Sequence, residues 1–218
     1  MGRTQNRPLP SGKLSLVEAL IWAFIFLIFG AVFLYRGSNL SSLSLALFSV
    51  FWYNLIYTPL KKYTAFAVIP GALCGAFPPL IGWLAAGGDI FNTSILVVCS
   101  FFFIAQIPHF WLLLIIHSTE YKKGGFKVLI DIFSENQLKR LTLVWMLATV
   151  MFSLMLPAFN VIYSQLLILI LLLISLWIII DSFFFLHRNQ KGNYRKMFIR
   201  FNIYFLLVML IIAADSLI

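Results

Sequence analysis

Seven apolar stretches, each long enough to cross a lipid bilayer, constrain this chain more than any other feature of its sequence. A transmembrane helix needs about 20 apolar residues, and stretches of that length occupy residues 16–35, 41–60, 66–86, 90–116, 138–157, 161–186 and 197–217. None of them alternates apolar and polar residues as a membrane strand does. The sequence therefore predicts an all-α, polytopic membrane protein with seven transmembrane helices.

The composition excludes the other large classes. Apolar residues make up 62% of the 218 residues and charged residues only 11%, against about 25% charged in soluble domains. A soluble or disordered chain does not carry that much apolar side chain.

Cys74 and Cys99 are isolated in apolar runs and are interpreted as packing residues. The third stretch is crowded with glycine and proline, which predicts a bent, tightly packed helix.

The distribution of positive charge predicts the orientation. Only Arg36 lies on one side of the predicted membrane, and the other side holds Arg3, Arg7, Lys13, Lys61, Lys62, Lys122, Lys123, Lys127, Lys139, Arg140, Arg188, Lys191, Arg195, Lys196 and Arg200. Because Lys and Arg concentrate in cytoplasmic segments, we expect a cytoplasmic N-terminus and an external C-terminus. The net charge of +9 then orients helices, and we expect no nucleic-acid partner.

Two cationic segments on the cytoplasmic side are candidates for binding phosphate. Arg3 and Arg7 are four residues apart, a spacing with which two guanidinium groups can hold a phosphate. The second segment lies between two spans and combines paired lysines with hydroxyl groups, at Tyr57, Thr58, Lys61, Lys62, Tyr63 and Thr64. Membrane anchoring explains both segments equally well on composition, so both interpretations stay open.

A histidine and two carboxylates complete the candidate chemistry. His109 lies eight residues before His117, about 12 Å below the end of its helix. A polar group at that depth needs a hydrogen-bond partner or a function. Glu120 follows the same span and either holds Mg²⁺ over a phosphate or pairs with a neighbouring lysine. Asp181 is interpreted as half of a structural ion pair within the sixth span.

Four sequence blocks, in order along the chain, resemble the haem O synthase (protoheme IX farnesyltransferase) branch of the UbiA-type intramembrane prenyltransferases. They are Arg3-Thr4-x-x-Arg7-Pro8-Leu9-Pro10-x-Gly12, Tyr57-Thr58-x-Leu60-Lys61-x-x-Thr64, Gly75-Ala76-x-Pro78-Pro79-x-x-Gly82-Trp83 and Pro108-His109-Phe110-Trp111. The resemblance extends over essentially the whole chain. It implies a nine-helix bundle of which this chain supplies helices three to nine, as one transmembrane domain over residues 1–218.

The resemblance also implies a reaction and its participants. Farnesyl diphosphate would donate its farnesyl group to a vinyl group of haem B, with Mg²⁺ as cofactor, in a bacterial cytoplasmic (inner) membrane. Haem A synthase or oxidase assembly factors would be partners. Lys61 and Glu120 would act in catalysis, Glu120 would hold the metal, and His109 and Trp111 would contact haem. The diphosphate would be bound by Arg3, Arg7, Tyr57, Lys61, Lys62 and Thr64.

Two departures from the family pattern affect these expectations. The family's main acidic motif precedes the block that begins at Arg3, so we expect the native chain to start upstream of Met1. The family's second acidic patch has two Asp before a Tyr, whereas Thr119 and Glu120 precede Tyr121 here. Two alternatives therefore stay open: an inactive haem- or lipid-binding relative that assists oxidase assembly, and a prenyltransferase for a quinone precursor. A retinal protein is excluded because residues 201–218 contain no lysine.

Overall fold

The computed structural model describes residues 4–187 and 193–217, and these residues form helices without any strand. In chain order the α-helices are α1 (Leu16–Gly37), α2 (Leu40–Phe51), α3 (Thr58–Tyr63), α4 (Val68–Ala85), α5 (Thr93–Ile116), α6 (Ser118–Lys123), α7 (Glu135–Met155), α8 (Gln165–His187) and α9 (Asn193–Asp215). A π-helix (Trp52–Tyr57) joins α2 to α3, and short 3₁₀ turns occupy Ala65–Ala67 and Leu129–Asp131. The all-α prediction is confirmed.

Seven helical segments of the described chain are long and apolar enough to cross a membrane. They are Leu16–Gly37, Leu40–Tyr63, Ala65–Ala85, Thr93–Ile116, Glu135–Met155, Gln165–His187 and Tyr194–Asp215. Each overlaps one predicted stretch, and the two sets differ by at most four residues at any end. The agreement arises because bilayer thickness fixes the length of apolar sequence that a span requires.

Helix starts are set by short polar side chains that accept backbone hydrogen bonds. Ser15 and Ser134 form capping boxes with Glu18 and Gln137 at the starts of α1 and α7. Before α8, the carboxylate of Asp215 accepts the backbone N–H groups of Tyr163 and Ser164 at 3.0 and 2.8 Å. The two serines satisfy amide groups that the first helical turn leaves unpaired, whereas Asp215 ties the residues just before α8 to the end of α9.

Helix α5 is the most deeply buried of the candidate spans in the described residues. It packs against α4, α7 and α9, and α8 closes a four-helix group by contacting α7 and α9. On the other side, α4 contacts α2, and α2 contacts α1. The core around α5 is apolar and aromatic, with Phe101 and Leu112 fully buried. Because consecutive spans run in opposite directions, residues 4–13, 58–67 and 117–134 meet at one end, here called the basic end.

The third span packs as closely as its glycines predict. A side-chain carbon at Gly71 would overlap the ring of Tyr57, and one at Gly75 would lie 2.5 Å from Cγ of Gln106 on α5. Both positions are too close for a van der Waals contact, so only glycine lets Tyr57 and Gln106 pack this closely against the helix. The prediction of tight packing for this helix is therefore confirmed at these two positions.

Candidate functional site

A cleft of about 350 Å³ opens at the basic end between the second, third and fourth spans and the segments that flank them. Three separate parts of the chain contribute a cation to its wall: Arg7, Lys61 and Lys127. Hydroxyl groups come from Thr4, Tyr53, Tyr57, Thr64 and Tyr121, and the apolar wall from Ala65, Ala67, Val68, Phe110, Leu114 and Phe126. Among the described lining residues none is acidic, so the cleft is suited to an anion with an apolar tail.

A π-helix brings the first group of lining residues onto one face. Pro59 follows it in the first turn of α3, where a proline removes a backbone N–H and its ring clashes with the carbonyl four residues earlier. The backbone turn widens instead, and the N–H of Thr58 bonds to the carbonyl of Tyr53, five residues back. Tyr53, Tyr57 and Lys61 consequently share the face that lines the cleft.

The ammonium group of Lys61 lies over aromatic rings. Its Nζ is 4.3 Å from the ring centroid of Tyr57 and 5.5 Å from that of Tyr53, distances typical of cation–π contacts. Tyr57 is buried, and its ring is held against Gly71. Lys62, which the sequence paired with Lys61, is exposed and does not line the cleft. Consecutive helical residues point about 100° apart, so the two lysines face different surroundings.

The loop after α6 supplies residues that sequence reasoning did not single out. The helix ends in a Schellman motif, in which the N–H of Phe126 bonds to the carbonyl of Tyr121 at 3.1 Å. Gly125 occupies the left-handed position with a φ of +75°, and the rings of Tyr121 and Phe126 pack edge to face at 5.9 Å. This turn carries Phe126 and Lys127 into the cleft wall. In the sequence, the Gly124-Gly125 pair was the signal for this Schellman turn.

The N-terminal segment contributes Arg7. Backbone bonds from the N–H of Arg7 to Thr4 and from the N–H of Ser11 to Arg7, at 3.2 and 3.0 Å, fold this segment into successive turns. Arg3, its predicted companion, lies outside the described residues. Of the six residues predicted to bind diphosphate, Arg7, Tyr57, Lys61 and Thr64 thus line one cleft.

The carboxylates do not assemble into a metal centre within the described residues. Glu120 is half-buried on α6, next to Tyr121, but is not itself part of the cleft wall. Asp131 forms an ion pair with Lys122. In residues 4–187 and 193–217, no three His, Cys, Asp or Glu side chains lie close enough together to hold a metal ion. This part of the chain therefore does not by itself fit Mg²⁺, which prefers several oxygen ligands.

The two residues predicted to contact haem occupy different environments. His109 is half-buried, and its Nδ1 lies 2.7 Å from Oδ1 of Asn202 on α9. Trp111 is 2% exposed and packs edge to face on Trp145. Its indole N–H has no hydrogen-bond partner in the described part of the chain. Neither residue lines the cleft, although Phe110 between them does.

Asp181 of α8 forms an ion pair with Arg200 of α9. The carboxylate is largely buried, whereas the arginine side chain is 43% exposed. This arrangement confirms the prediction that Asp181 belongs to a structural pair with a cation.

Comparisons with known proteins add sequence and structural relatives. The model of the UbiA prenyltransferase family matches residues 1–206. A protoheme IX farnesyltransferase of Cytophaga hutchinsonii is 44% identical over 129 residues, which cover 59% of this chain and 45% of that protein. One from Nitratidesulfovibrio vulgaris is 35% identical over 157 residues, covering 72% and 55%. The mitochondrial protein of that name from Arabidopsis thaliana is 42% identical over 130 residues, covering 59% and 30%.

A solved structure supports the fold. Digeranylgeranylglyceryl phosphate synthase superposes with a TM-score of 0.78 over 98% of this chain and 75% of its own, at 20% sequence identity. The matched regions amount to about half the length of the bacterial relatives or less.

Proposed function

The chain belongs to the UbiA prenyltransferase family, and we propose that it transfers the farnesyl group of farnesyl diphosphate to a vinyl group of haem B, which yields haem O. The relatives at 35–44% identity that carry the name protoheme IX farnesyltransferase support this choice of substrates. Because the chain spans about half the length of the bacterial relatives, the activity of the whole protein is part of the proposal.

The observation that carries the proposal is the convergence of cations and aromatic rings in one cleft with an apolar wall. Arg7, Lys61 and Lys127 come from three segments that are far apart in sequence. A diphosphate is an anion that such a group of cations and hydroxyls can bind. Below it, Val68 and Leu114 provide an apolar surface for an isoprenoid chain.

The cleft residues can assist each stage of the transfer. The C1–O bond of farnesyl diphosphate breaks, and the bonding electrons leave with the diphosphate, whose charge the three cations neutralise. The allylic cation that remains is stabilised by the electron-rich ring of Tyr53, which is 47% exposed. The vinyl group of haem forms a bond to C1, and water then adds to the resulting cation and releases a proton. The apolar wall excludes water until that last step.

The remaining assignments belong to the same proposal. His109 and Trp111 would serve the haem side and Glu120 the metal side, with Arg3 as a further cation near the diphosphate. Lys62, which is exposed and lies outside the cleft wall, is not assigned to the diphosphate. Mg²⁺ is the cofactor that the family resemblance implies, but the described carboxylates do not form a site for it. No step is therefore assigned to the metal.

We propose that the basic end faces the cytoplasm, because Lys and Arg concentrate in cytoplasmic segments. The family resemblance implies a bacterial inner membrane, with the lipid bilayer around the seven spans. Residues 1–218 would form one domain equivalent to helices three to nine of a nine-helix bundle. Haem A synthase and oxidase assembly factors are the proposed protein partners. Nothing in the described residues or the relatives favours a quinone prenyltransferase or an inactive haem carrier.

The test is a transfer assay with the full-length protein in membranes. Haem B and farnesyl diphosphate are supplied together, and pigments are extracted and identified by mass spectrometry. We expect a haem that has gained one farnesyl group and one hydroxyl group. Haem that is bound but unchanged would support the inactive relative, and prenylation only of an added quinone precursor would support the other alternative.

A further inference from the structure

The hydrogen bond between His109 of α5 and Asn202 of α9 joins two helices at membrane depth. Nδ1 of His109 and Oδ1 of Asn202 are 2.7 Å apart although the residues are 93 positions apart in sequence. His109 lies seven residues before the end of α5 at Ile116, about 10 Å along the helix axis. A polar pair at this depth is costly unless it is fully bonded or functional.

A second bond of Asn202 fixes which way its amide points. Its Nδ2 donates to the backbone carbonyl of Phe198, one turn earlier on α9, at 2.6 Å. A carbonyl accepts and never donates, so the amide NH₂ must face Phe198. The oxygen Oδ1 must then face His109.

The orientation of the amide determines the tautomer of the histidine. Since Oδ1 of Asn202 can only accept, Nδ1 of His109 must carry the proton of this bond. In a neutral imidazole the other nitrogen, Nε2, then holds the lone pair. The Asn202 side chain therefore selects the tautomer in which Nε2 is the basic atom.

Nε2 has no hydrogen-bond partner among the described residues, and the histidine is half-buried. The imidazole is flanked by two aromatic rings, Phe110 at 5.2 Å and Phe198 at 5.1 Å between centroids. Phe110 also lines the cationic cleft, so His109 lies one ring away from the proposed diphosphate site.

We infer that Asn202 is a positioning residue that holds His109 with its Nε2 lone pair presented to the iron of haem, so that haem is bound one ring away from the diphosphate site. The inference rests on the proposed function for the identity of the substrate. A histidine that ligates iron commonly donates its other N–H to an oxygen, which orients the ring and makes the ligand more basic. In the His109–Asn202 pair, Oδ1 of Asn202 is the oxygen that accepts this N–H.

A purely structural role would make a different prediction. An interhelical hydrogen bond that only holds α5 against α9 would affect stability and leave the electronic state of a bound haem unchanged. Tyr204, two residues along α9, provides a matched control. Its hydroxyl bonds to Ser153 at 2.5 Å and to Ser175 at 3.2 Å and has no recorded contact with His109.

The experiment measures haem binding by the full-length protein with haem B alone and no farnesyl diphosphate. Optical spectra and resonance Raman spectra are recorded for the wild type and for Asn202→Leu, Asn202→Asp, His109→Gly and Tyr204→Phe. Thermal melting in detergent is followed for each variant. Transfer to haem is assayed separately on the same preparations, together with Lys61→Gln.

We expect Asn202→Leu to weaken haem affinity about 10- to 100-fold and to lower the iron–histidine stretching frequency. Asn202→Asp, which keeps an oxygen acceptor, should restore affinity and raise that frequency above the wild type. His109→Gly should lose the histidine-ligated spectrum and regain it with added imidazole. Tyr204→Phe should lower the melting temperature without changing the spectrum.

Two results would overturn the inference. A wild-type spectrum in a folded Asn202→Leu protein would remove the positioning role, and an unchanged spectrum in His109→Gly would remove the ligation. The proposed function fails independently, if wild-type protein binds haem through His109 but forms no farnesylated product. Lys61→Gln should slow transfer about 10- to 30-fold while its haem spectrum stays that of the wild type, which separates the two sites.

Discussion

Replacing Lys61 with glutamine tests whether the cationic cleft binds the diphosphate. Lys61 is the cleft cation whose surroundings the structure defines best, since its ammonium group lies over Tyr57 and Tyr53. Glutamine keeps much of the length of the side chain and a hydrogen-bond donor but removes the charge. The change should therefore act on binding of the anion and leave the helical frame intact.

The expected loss follows from the contact and its exposure. A hydrogen bond to a charged group contributes about 1.5–3 kcal/mol. Lys61 is only partly buried, so water screens part of its interaction with the diphosphate and the lower end of that range applies. A loss of about 1.5–2 kcal/mol corresponds to a fall in kcat/KM of about 10- to 30-fold. Arginine at this position should retain most of the activity.

The adjacent lysine provides the matched control. Lys62 carries the same charge in the same helix but is exposed and lies outside the cleft wall. Because an exposed ion pair contributes under about 1 kcal/mol, Lys62→Gln should change kcat/KM by less than about fivefold. Both variants are assayed in membranes with haem B constant and farnesyl diphosphate varied. Equal losses in the two variants would refute the assignment of Lys61 to the cleft and attribute the effect to membrane anchoring.

Three further substitutions test the parts that shape the site. Gly71→Ala should lower stability by about 1–3 kcal/mol, and with it the melting temperature, because the added carbon overlaps the ring of Tyr57. Gly82→Ala on the same helix is the control, since its added carbon meets nothing within 4 Å. Equal melting temperatures for these two variants would contradict the reasoning. Gly125→Ala should strain the left-handed turn after α6 by about 1–2 kcal/mol and speed proteolysis of that loop, and an unchanged cleavage rate would count against the turn. Asp181→Leu leaves its arginine partner unpaired and should lower stability by about 1–3 kcal/mol, less than for a fully buried pair; a melting temperature at or above the wild type would disprove that role.

The spans were predictable from sequence because one physical quantity, the thickness of the bilayer, sets their length. The π-helix at Trp52–Tyr57 was not predicted, although Pro59 is its sequence signal. A proline near a helix boundary is compatible with a kink, a break or a widened turn. The choice among them depends on how the neighbouring helices satisfy the freed carbonyl groups, which local sequence does not contain.

The candidate site was predictable only in part, for a similar reason. The sequence showed that Arg7 and Lys61 are on the same side of the membrane, but not that Lys127 joins them. That convergence depends on the Schellman turn at Gly125 and on the packing of α5 against α4. Likewise, His109 was expected to need a partner or a function, and its partner Asn202 is found only when α9 is placed beside α5.

For Asp181, the sequence predicted the type of partner but not which residue it would be. A carboxylate inside a span needs a cation within reach, which predicted the type of partner. Arg200 is 19 residues further along the chain, and it becomes the partner because α8 and α9 are antiparallel neighbours.

The most direct test of the central claim is to measure haem product and released diphosphate in the same reaction. Full-length protein in membranes is mixed with haem B and labelled farnesyl diphosphate, and both products are quantified over a single turnover. A transfer of the farnesyl group to haem predicts one diphosphate released for each farnesylated haem formed. Diphosphate release with haem B unchanged, or no release from farnesyl diphosphate while haem is bound, would contradict the account.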